Sequence, residues 1–208
     1  MSKETASLVH ANAEMRGRFI QLLDSLSALR ALADLDLESH GLEAVLDDAL
    51  RVLMQHQDLE RSAIFMLEED GLRCRAGIDF PALFLMDVER GACERAECPS
   101  VHRWGEGLVG MAASTRTPQH SPDCAREART LPEYREGTRP VGSLLCAPVI
   151  HANEVLGVVT VHHPEAHHFQ SWHEHLLVLF CAVLGHLLSS HQVVERLERA
   201  VAERTRQL

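Results

Sequence analysis

The chain has 208 residues, 46% of them hydrophobic and only 4% aromatic, which suits one α/β domain with helical extensions and an aliphatic core. Its 20 basic and 30 acidic residues give a formal net charge of −10, which argues against a nucleic-acid-binding surface and against docking on anionic lipid. Because no apolar run approaches the ~20 residues of a membrane span and the N-terminus lacks a secretory signal, we expect a cytoplasmic protein whose six cysteines are thiols or metal ligands.

Two helices are predicted at the start of the chain. Residues 8–33 carry apolar side chains at alternating spacings of three and four residues, interrupted by Asn12, which is typical of a coiled coil or helical bundle. The apolar positions are Leu8, Met15, Phe19, Leu22, Leu26, Leu29 and Ala33. The alternative is an amphipathic helix that packs on its own domain. Residues 41–56 show the pattern of a second helix, with the apolar side chains on one face.

Two β-hairpins are predicted farther along the chain. Strands at 62–67 and 72–77 flank a turn that contains glycine. Continuous apolar runs at 143–150 and 155–163 predict two adjacent central strands of an antiparallel sheet.

The insert between the hairpins is irregular in pattern, except for a short helix of small residues at 107–115 that we expect Pro118 to end. Gly107 and Gly110 belong to this helix, where the backbone must come close to the sheet or to a ligand. Residues 119–140 are loop-like.

One long helix is predicted from Trp172 to Leu208. Apolar residues recur in it every seven positions, at Phe180, Leu187, Val194, Val201 and Leu208. Its polar end cannot belong to a domain core and is either a coiled coil or the start of a linker. The elements together predict an α+β fold, a small antiparallel sheet with helices packed on one face and long dimerisation helices at both ends.

Several of these segments resemble a GAF domain. The stretch 105–123, with its glycines, small helix and threonine-x-proline ending before an aspartate, is similar to a stretch of that family. The segment 143–163 resembles the family's two central strands, with Pro148 and Gly157 in the expected places, and 172–192 resembles its closing helix. The resemblance implies a ligand pocket between the insert and the sheet.

The heptad pattern and the resemblance together predict a division of the chain into three parts. We expect residues 1–38 to form an N-terminal coiled-coil or bundle helix, 39–192 a sensory GAF domain, and 193–208 the start of a signalling helix. Such helices lead to a histidine kinase or to a GGDEF diguanylate cyclase. The chain itself has neither a GGDEF motif nor an ATP-binding signature, so we expect neither of those activities from it.

Departures from the family's known subgroups narrow the function. The signature of cyclic-nucleotide-binding GAF domains and the cysteine-histidine pair that attaches bilins are both missing from the sequence. Free-methionine-sulfoxide reductases of this family carry a cysteine within a glycine-x-cysteine-glycine stretch, which here is Gly107-Leu108-Val109-Gly110. The catalytic thiol is therefore missing at that position, and we expect a sensory module rather than an enzyme.

A cluster of cysteine and histidine in the insert is the candidate metal site. Cys93, Cys98 and His102 form C-x4-C-x3-H, and Cys124 follows in the next loop. These residue types bind zinc, iron and iron–sulfur centres, although the spacing is looser than that of a zinc motif. Unlinked thiols, or a redox switch between Cys93 and Cys98, are the alternatives.

The resemblance also indicates which residues would bind a small molecule in the pocket. They are Trp104, Gly107, His120, Asp123 and Cys146. Trp104 could stack on a ligand or serve as a core or lid aromatic, and Cys146 lies in an apolar run where a buried thiol often acts as a small hydrophobic residue.

A histidine-rich tract, 162–175, holds six histidines. Such tracts can bind metal. This one lies between the last strand and the last helix, away from the predicted pocket, so we expect a solvated loop and place the working residues in Cys93–Trp104 and around Cys124.

The favoured function is a ligand-, metal- or redox-sensing homodimer with parallel helices, which relays a signal through its C-terminal helix to an output domain in the same polypeptide. Its partners would be a second copy of the chain and a small molecule or metal, with no nucleic acid and no membrane. A thiol-dependent reductase and a purely structural dimerisation domain are the alternatives.

Overall fold

The computed structural model describes residues 3–35, 41–55, 59–78, 101–132, 134 and 141–206. The helices whose bounds are described are α1 (Lys3–Ala33), α2 (Leu42–Gln55), α3 (Gly107–Thr115) and α4 (Ser171–Arg206). The strands are β1 (Arg61–Glu68), β2 (Gly71–Ile78), β3 (Val101–His102), β4 (Gln119–Ser121), β5 (Ser143–His151) and β6 (Glu154–His163). Each helix and hairpin predicted from the sequence is present, and α3 has the predicted bounds.

The strands of the described residues form one antiparallel sheet in the order β3-β2-β1-β6-β5-β4. The two predicted hairpins supply the four central strands, and β1 pairs with β6 to join them. The edge strands β3 and β4 come from the insert, where the sequence pattern predicted none. The insert therefore contributes to both edges of the sheet.

Successive side chains of each strand point to opposite faces of the sheet, so the core has two layers. One face of the sheet packs against α2, α4 and the end of α1, through buried side chains that include Leu50, Ile64, Ala147 and Phe180. The other face packs against α3 and the loop that follows it, through Phe65, Leu108, Val109, Cys124 and Cys146 among others. The α+β class is confirmed, and the three long helices share one face as expected, with the short α3 covering the other.

The apolar part of α4 belongs to the domain core. In contrast to the expectation from the sequence, its segment Ser171–His191 is long and apolar enough to span a membrane, a property that core helices can share. Phe180, Leu184 and Leu188 are buried in the layer beneath the sheet, and Leu187 packs against it. The first heptad positions of α4, Phe180 and Leu187, therefore pack in or against the core of the domain. The next heptad position, Val194, is 42% exposed.

Among the side chains of α1 that the structure describes, those of its last turns pack on the domain. Ala28 and Leu32 are fully buried. The apolar stripe before them remains on the surface of the chain, with exposures of 67% for Met15, 63% for Phe19 and 56% for Leu26. The stripe thus lacks a covering partner within the part of the chain that the structure describes.

Candidate functional site

A cluster of polar side chains lies on the sheet face that α3 covers. The Tyr134 hydroxyl and His102 Nε2 are 3.2 Å apart, and His162 Nε2 is 3.0 Å from the Thr160 hydroxyl. The Tyr134 ring lies between the two imidazoles, with centroids 6.2 Å from His102 and 5.4 Å from His162. Strand β3 positions His102, and β6 positions Thr160 and His162 two residues apart, on the same face.

Burial keeps both imidazoles of this cluster neutral. Desolvation lowers the pKa of His102 to about 4 and that of His162 to about 3, and the Arg61 charge lowers the pKa of His162 further. Within the described residues, His102 Nδ1 has no hydrogen-bond partner. A buried imidazole nitrogen without a partner is costly unless a water or a ligand reaches it.

Two buried thiols occupy the same face. Cys146 is the cross-strand neighbour of Thr160 on β5. Burial raises the pKa of Cys124, which the Ser121 and Thr130 side chains partly offset, and burial raises the pKa of Cys146 well above its usual value. Both thiols are therefore protonated and weakly nucleophilic near neutral pH.

The loop before α3 is held close to the helix by glycine. The Gly105 amide donates to the Gly110 carbonyl over 3.0 Å, and the Gly110 amide donates to Glu106 over 3.0 Å. A Cβ on Gly110 would overlap the Arg103 carbonyl oxygen, and Gly107 adopts a φ of 60° beside Leu131. The backbone of α3 does come close to another part of the structure, as expected from the glycines. The part that it approaches is the preceding loop, whereas the sequence pattern predicted the sheet or a ligand. The helix ends at Thr115, where Arg116 takes a left-handed conformation, two residues before Pro118.

The five predicted ligand-binding residues are not gathered in one place. Cys146 lies on the face that α3 covers, beside the polar cluster, and Gly107 begins α3. Trp104 is 51% exposed. The Asp123 carboxylate accepts a hydrogen bond from the Ala125 amide and forms an ion pair with Arg126 at 3.4 Å. These local contacts stabilise a turn. His120 faces the opposite side of the sheet, where its ring contacts Phe169.

The structure describes two of the four predicted metal ligands, His102 and Cys124. Cys93 and Cys98 lie outside the described residues. His102 and Cys124 both lie on the face that α3 covers, but His102 contacts Tyr134 and the edge of the Phe65 ring, at a centroid distance of 4.8 Å.

The histidine-rich tract is not a solvated loop throughout. His162, His163 and His173 are buried, and the expectation of solvent exposure is wrong for these three. Sequence reasoning missed His162 and Tyr134 as site residues. The spacing of His162 from Thr160 along a predicted strand could have placed His162 on a known face, whereas nothing in the pattern pointed to Tyr134.

A family model described as "GAF domain" matches residues 41–188. The fold is similar to that of the GAF domain from the Coxiella burnetii phosphoenolpyruvate-protein phosphotransferase, at 18% identity over 86% of this chain and 98% of that one, with a TM-score of 0.64. The corresponding Acinetobacter domain is 22% identical over 81% of this chain and 95% of that one, with a TM-score of 0.60. Free methionine-R-sulfoxide reductase from Neisseria meningitidis is 13% identical over 80% of this chain and 87% of that one, with a TM-score of 0.62. No curated protein sequence matches the chain.

Proposed function

The chain belongs to the GAF domain family, and from this premise we propose that it is a regulatory module that binds a small polar molecule on the sheet face beneath α3. The observation that carries the proposal is the buried cluster of His102, Tyr134, Thr160 and His162. Its neutral imidazoles and hydroxyls provide hydrogen-bond donors and acceptors in a site from which water is excluded. Such a site discriminates strongly against ligands that leave these groups without a hydrogen bond.

The signal would pass through the sheet to α4. Cys146 and Thr160 face the proposed ligand, and the next residue of β5, Ala147, faces α4. The Cys181 thiol of α4 donates to the Ala147 carbonyl over 3.5 Å. A ligand that shifts β5 would therefore bias the packing of α4, provided that it binds two arrangements with different affinity.

The proposed module works as a homodimer in the cytoplasm and passes its signal to an output domain of the same polypeptide. The exposed apolar stripe of α1 and the exposed Val193 and Val194 of α4 support a helical dimer interface. The output domain would be a diguanylate cyclase or a histidine kinase. The chain alone should not turn over GTP or ATP, and turnover by a pure sample would contradict this assignment.

A reductase is the second candidate, because the fold is also similar to that of free methionine-R-sulfoxide reductase. Against it, Val109, which is buried under the sheet, stands where the resemblance to those reductases implies a catalytic cysteine. The pKa values of Cys124 and Cys146 are raised by burial, which is unfavourable for a nucleophile. Incubation with free methionine-R-sulfoxide and dithiothreitol should produce no methionine, and thiol-dependent turnover would favour the reductase.

The binding proposal is tested by a thermal-shift screen with amino acids, nucleotides and 2-oxoacids, preceded by an absorption spectrum of anaerobically purified protein. We expect a compound that stabilises the native chain and loses its effect in Tyr134→Phe and His162→Gln. The control is His175→Gln, on the exposed side of α4, which should respond as the native chain does. A blank spectrum with no stabilising compound would favour a purely structural dimerisation domain.

A further inference from the structure

We propose that the corner between β6 and α4 is a binding site for a divalent transition-metal ion, formed by His163, Glu165 and His168. One ligand atom from each of these three residues lies within 4.8 Å of the other two. His163 is buried, His168 is half-buried and Glu165 is exposed, so the site opens to solvent on the carboxylate side. It lies outside the polar cluster under α3 and does not depend on it.

The loop that carries these ligands is held at both ends by hydrogen bonds. The Gly142 amide donates to the His163 carbonyl over 3.0 Å, and the Ser143 hydroxyl donates to the Glu165 carbonyl over 2.8 Å. The His167 amide donates to the Pro122 carbonyl over 2.6 Å. Fixed backbone positions keep the three side chains together and reduce the entropy that is lost when they bind an ion.

The ligand set indicates the class of ion. Two imidazoles and one carboxylate suit zinc, nickel, cobalt or copper, whereas magnesium and calcium prefer oxygen ligands alone. Three protein ligands leave a coordination position for water or for a fourth side chain. Water can occupy this position directly, whereas His173, whose ring lies 5.4 Å from that of His168, would first have to release the Gln170 amide that its Nδ1 accepts over 3.0 Å.

Metal binding must rearrange the corner. The rings of His163 and His168 are stacked with centroids 3.5 Å apart and planes 12° apart. An ion lies near the plane of each ring that binds it, so the two rings have to turn out of the stack to share one ion. The ion therefore selects a second arrangement of the His163 and His168 side chains on the corner that precedes α4.

A hydrogen bond reports this change. Nδ1 of His163 accepts the Glu165 amide over 3.1 Å. In a neutral imidazole one nitrogen has a lone pair that can accept a hydrogen bond or bind an ion, and the other nitrogen carries a proton. Because the Glu165 amide occupies the lone pair of Nδ1, the ring cannot bind an ion through either nitrogen while this hydrogen bond remains. Loading should break the bond and shift the Glu165 amide resonance.

The test is a calorimetric titration of the metal-free chain with zinc alone, together with amide NMR spectra. We expect one zinc ion per chain, a displaced Glu165 resonance, and an affinity at least tenfold lower in H163Q/H168Q. Because His163 is buried, the exposed-site variant E165Q provides a second measurement, and it should also weaken zinc binding. Circular dichroism verifies that each variant is folded.

Two control variants separate this site from others. H151Q/H186Q removes a second histidine pair, whose rings lie 5.7 Å apart, and should leave zinc affinity unchanged. C93S/C98S removes thiols of the cysteine-rich segment and should also leave it unchanged. Zinc affinity that falls less than tenfold in H163Q/H168Q, that falls as much in either control variant, or that is undetectable in the native chain would overturn the proposal. Zinc binding that persists in Y134F, whatever that change does to small-molecule binding, would show that the two sites are independent.

Discussion

At the scale of single residues, the buried imidazoles of His102 and His162 make stability depend on pH. Their folded pKa values, about 4 and about 3, lie below the ordinary value of 6.5, so below that value the unfolded chain binds more protons than the folded chain. Their contribution to stability is complete above pH 6.5 and is lost as the pH falls towards the folded pKa values.

We therefore expect the free energy of unfolding to fall between pH 7 and pH 5, by about 2 kcal/mol for each of these histidines. Urea denaturation at several pH values measures it. His162→Gln should flatten the dependence, and His175→Gln, an exposed control, should retain it. Equal pH slopes for the native chain and His162→Gln would show that His162 has the same pKa in the folded chain as in the unfolded chain, and would contradict the lowered pKa.

Gly110 is a second position where one residue matters. Gly110→Ala should lower stability by about 1–3 kcal/mol, because the added Cβ overlaps the Arg103 carbonyl oxygen and forces the loop away from α3. Gly17→Ala is the matched control in α1, where a Cβ meets nothing within 4 Å and alanine favours the helix. Thermal denaturation compares the two, and equal melting temperatures would contradict the close approach.

At the scale of elements, α4 has two functions along its length. Its first half supplies Phe180, Leu184 and Leu188 to the core, whereas Val193 and Val194 are exposed. The heptad repeat runs through both halves because a helix packed on a sheet and a helix in a coiled coil use similar spacings of apolar residues.

This division predicts different outcomes for two substitutions in α4. Leu184→Ala should destabilise the domain by about 2–5 kcal/mol, since it leaves a cavity under the sheet. Val194→Asp should leave the unfolding of the domain nearly unchanged when dimerisation is absent. Denaturant titrations at low protein concentration make the comparison, and a large loss for Val194→Asp would place that residue in the core.

At the scale of the whole molecule, the exposed stripe of α1 predicts self-association. Leu22→Asp with Leu26→Asp should convert a dimer to a monomer, because both side chains are more than half exposed in the single chain and would be covered in a helical interface. Light scattering at micromolar concentrations measures it. Asp24→Asn, on the same helix, is the control, and a native chain that is already monomeric would refute the proposed dimer.

Local pattern was sufficient to predict most of the fold. Helical spacing of apolar residues located the three long helices, because each of them buries one face. Short apolar segments on either side of turn residues located both hairpins. The small residues of 107–115 predicted α3 to the residue. The two-residue and three-residue edge strands β3 and β4 were missed, since such short strands have no period to detect.

The candidate site depended on tertiary structure. His102, Tyr134 and His162 are distant in sequence and meet because β3 and β6 present their side chains to one layer and the loop after α3 covers it. A sequence period assigns a residue to a face but does not state which strands are neighbours, so it could not separate His120 from Cys146 or bring His163 to His168. Those contacts follow from strand order and register, which are determined by packing of the whole core.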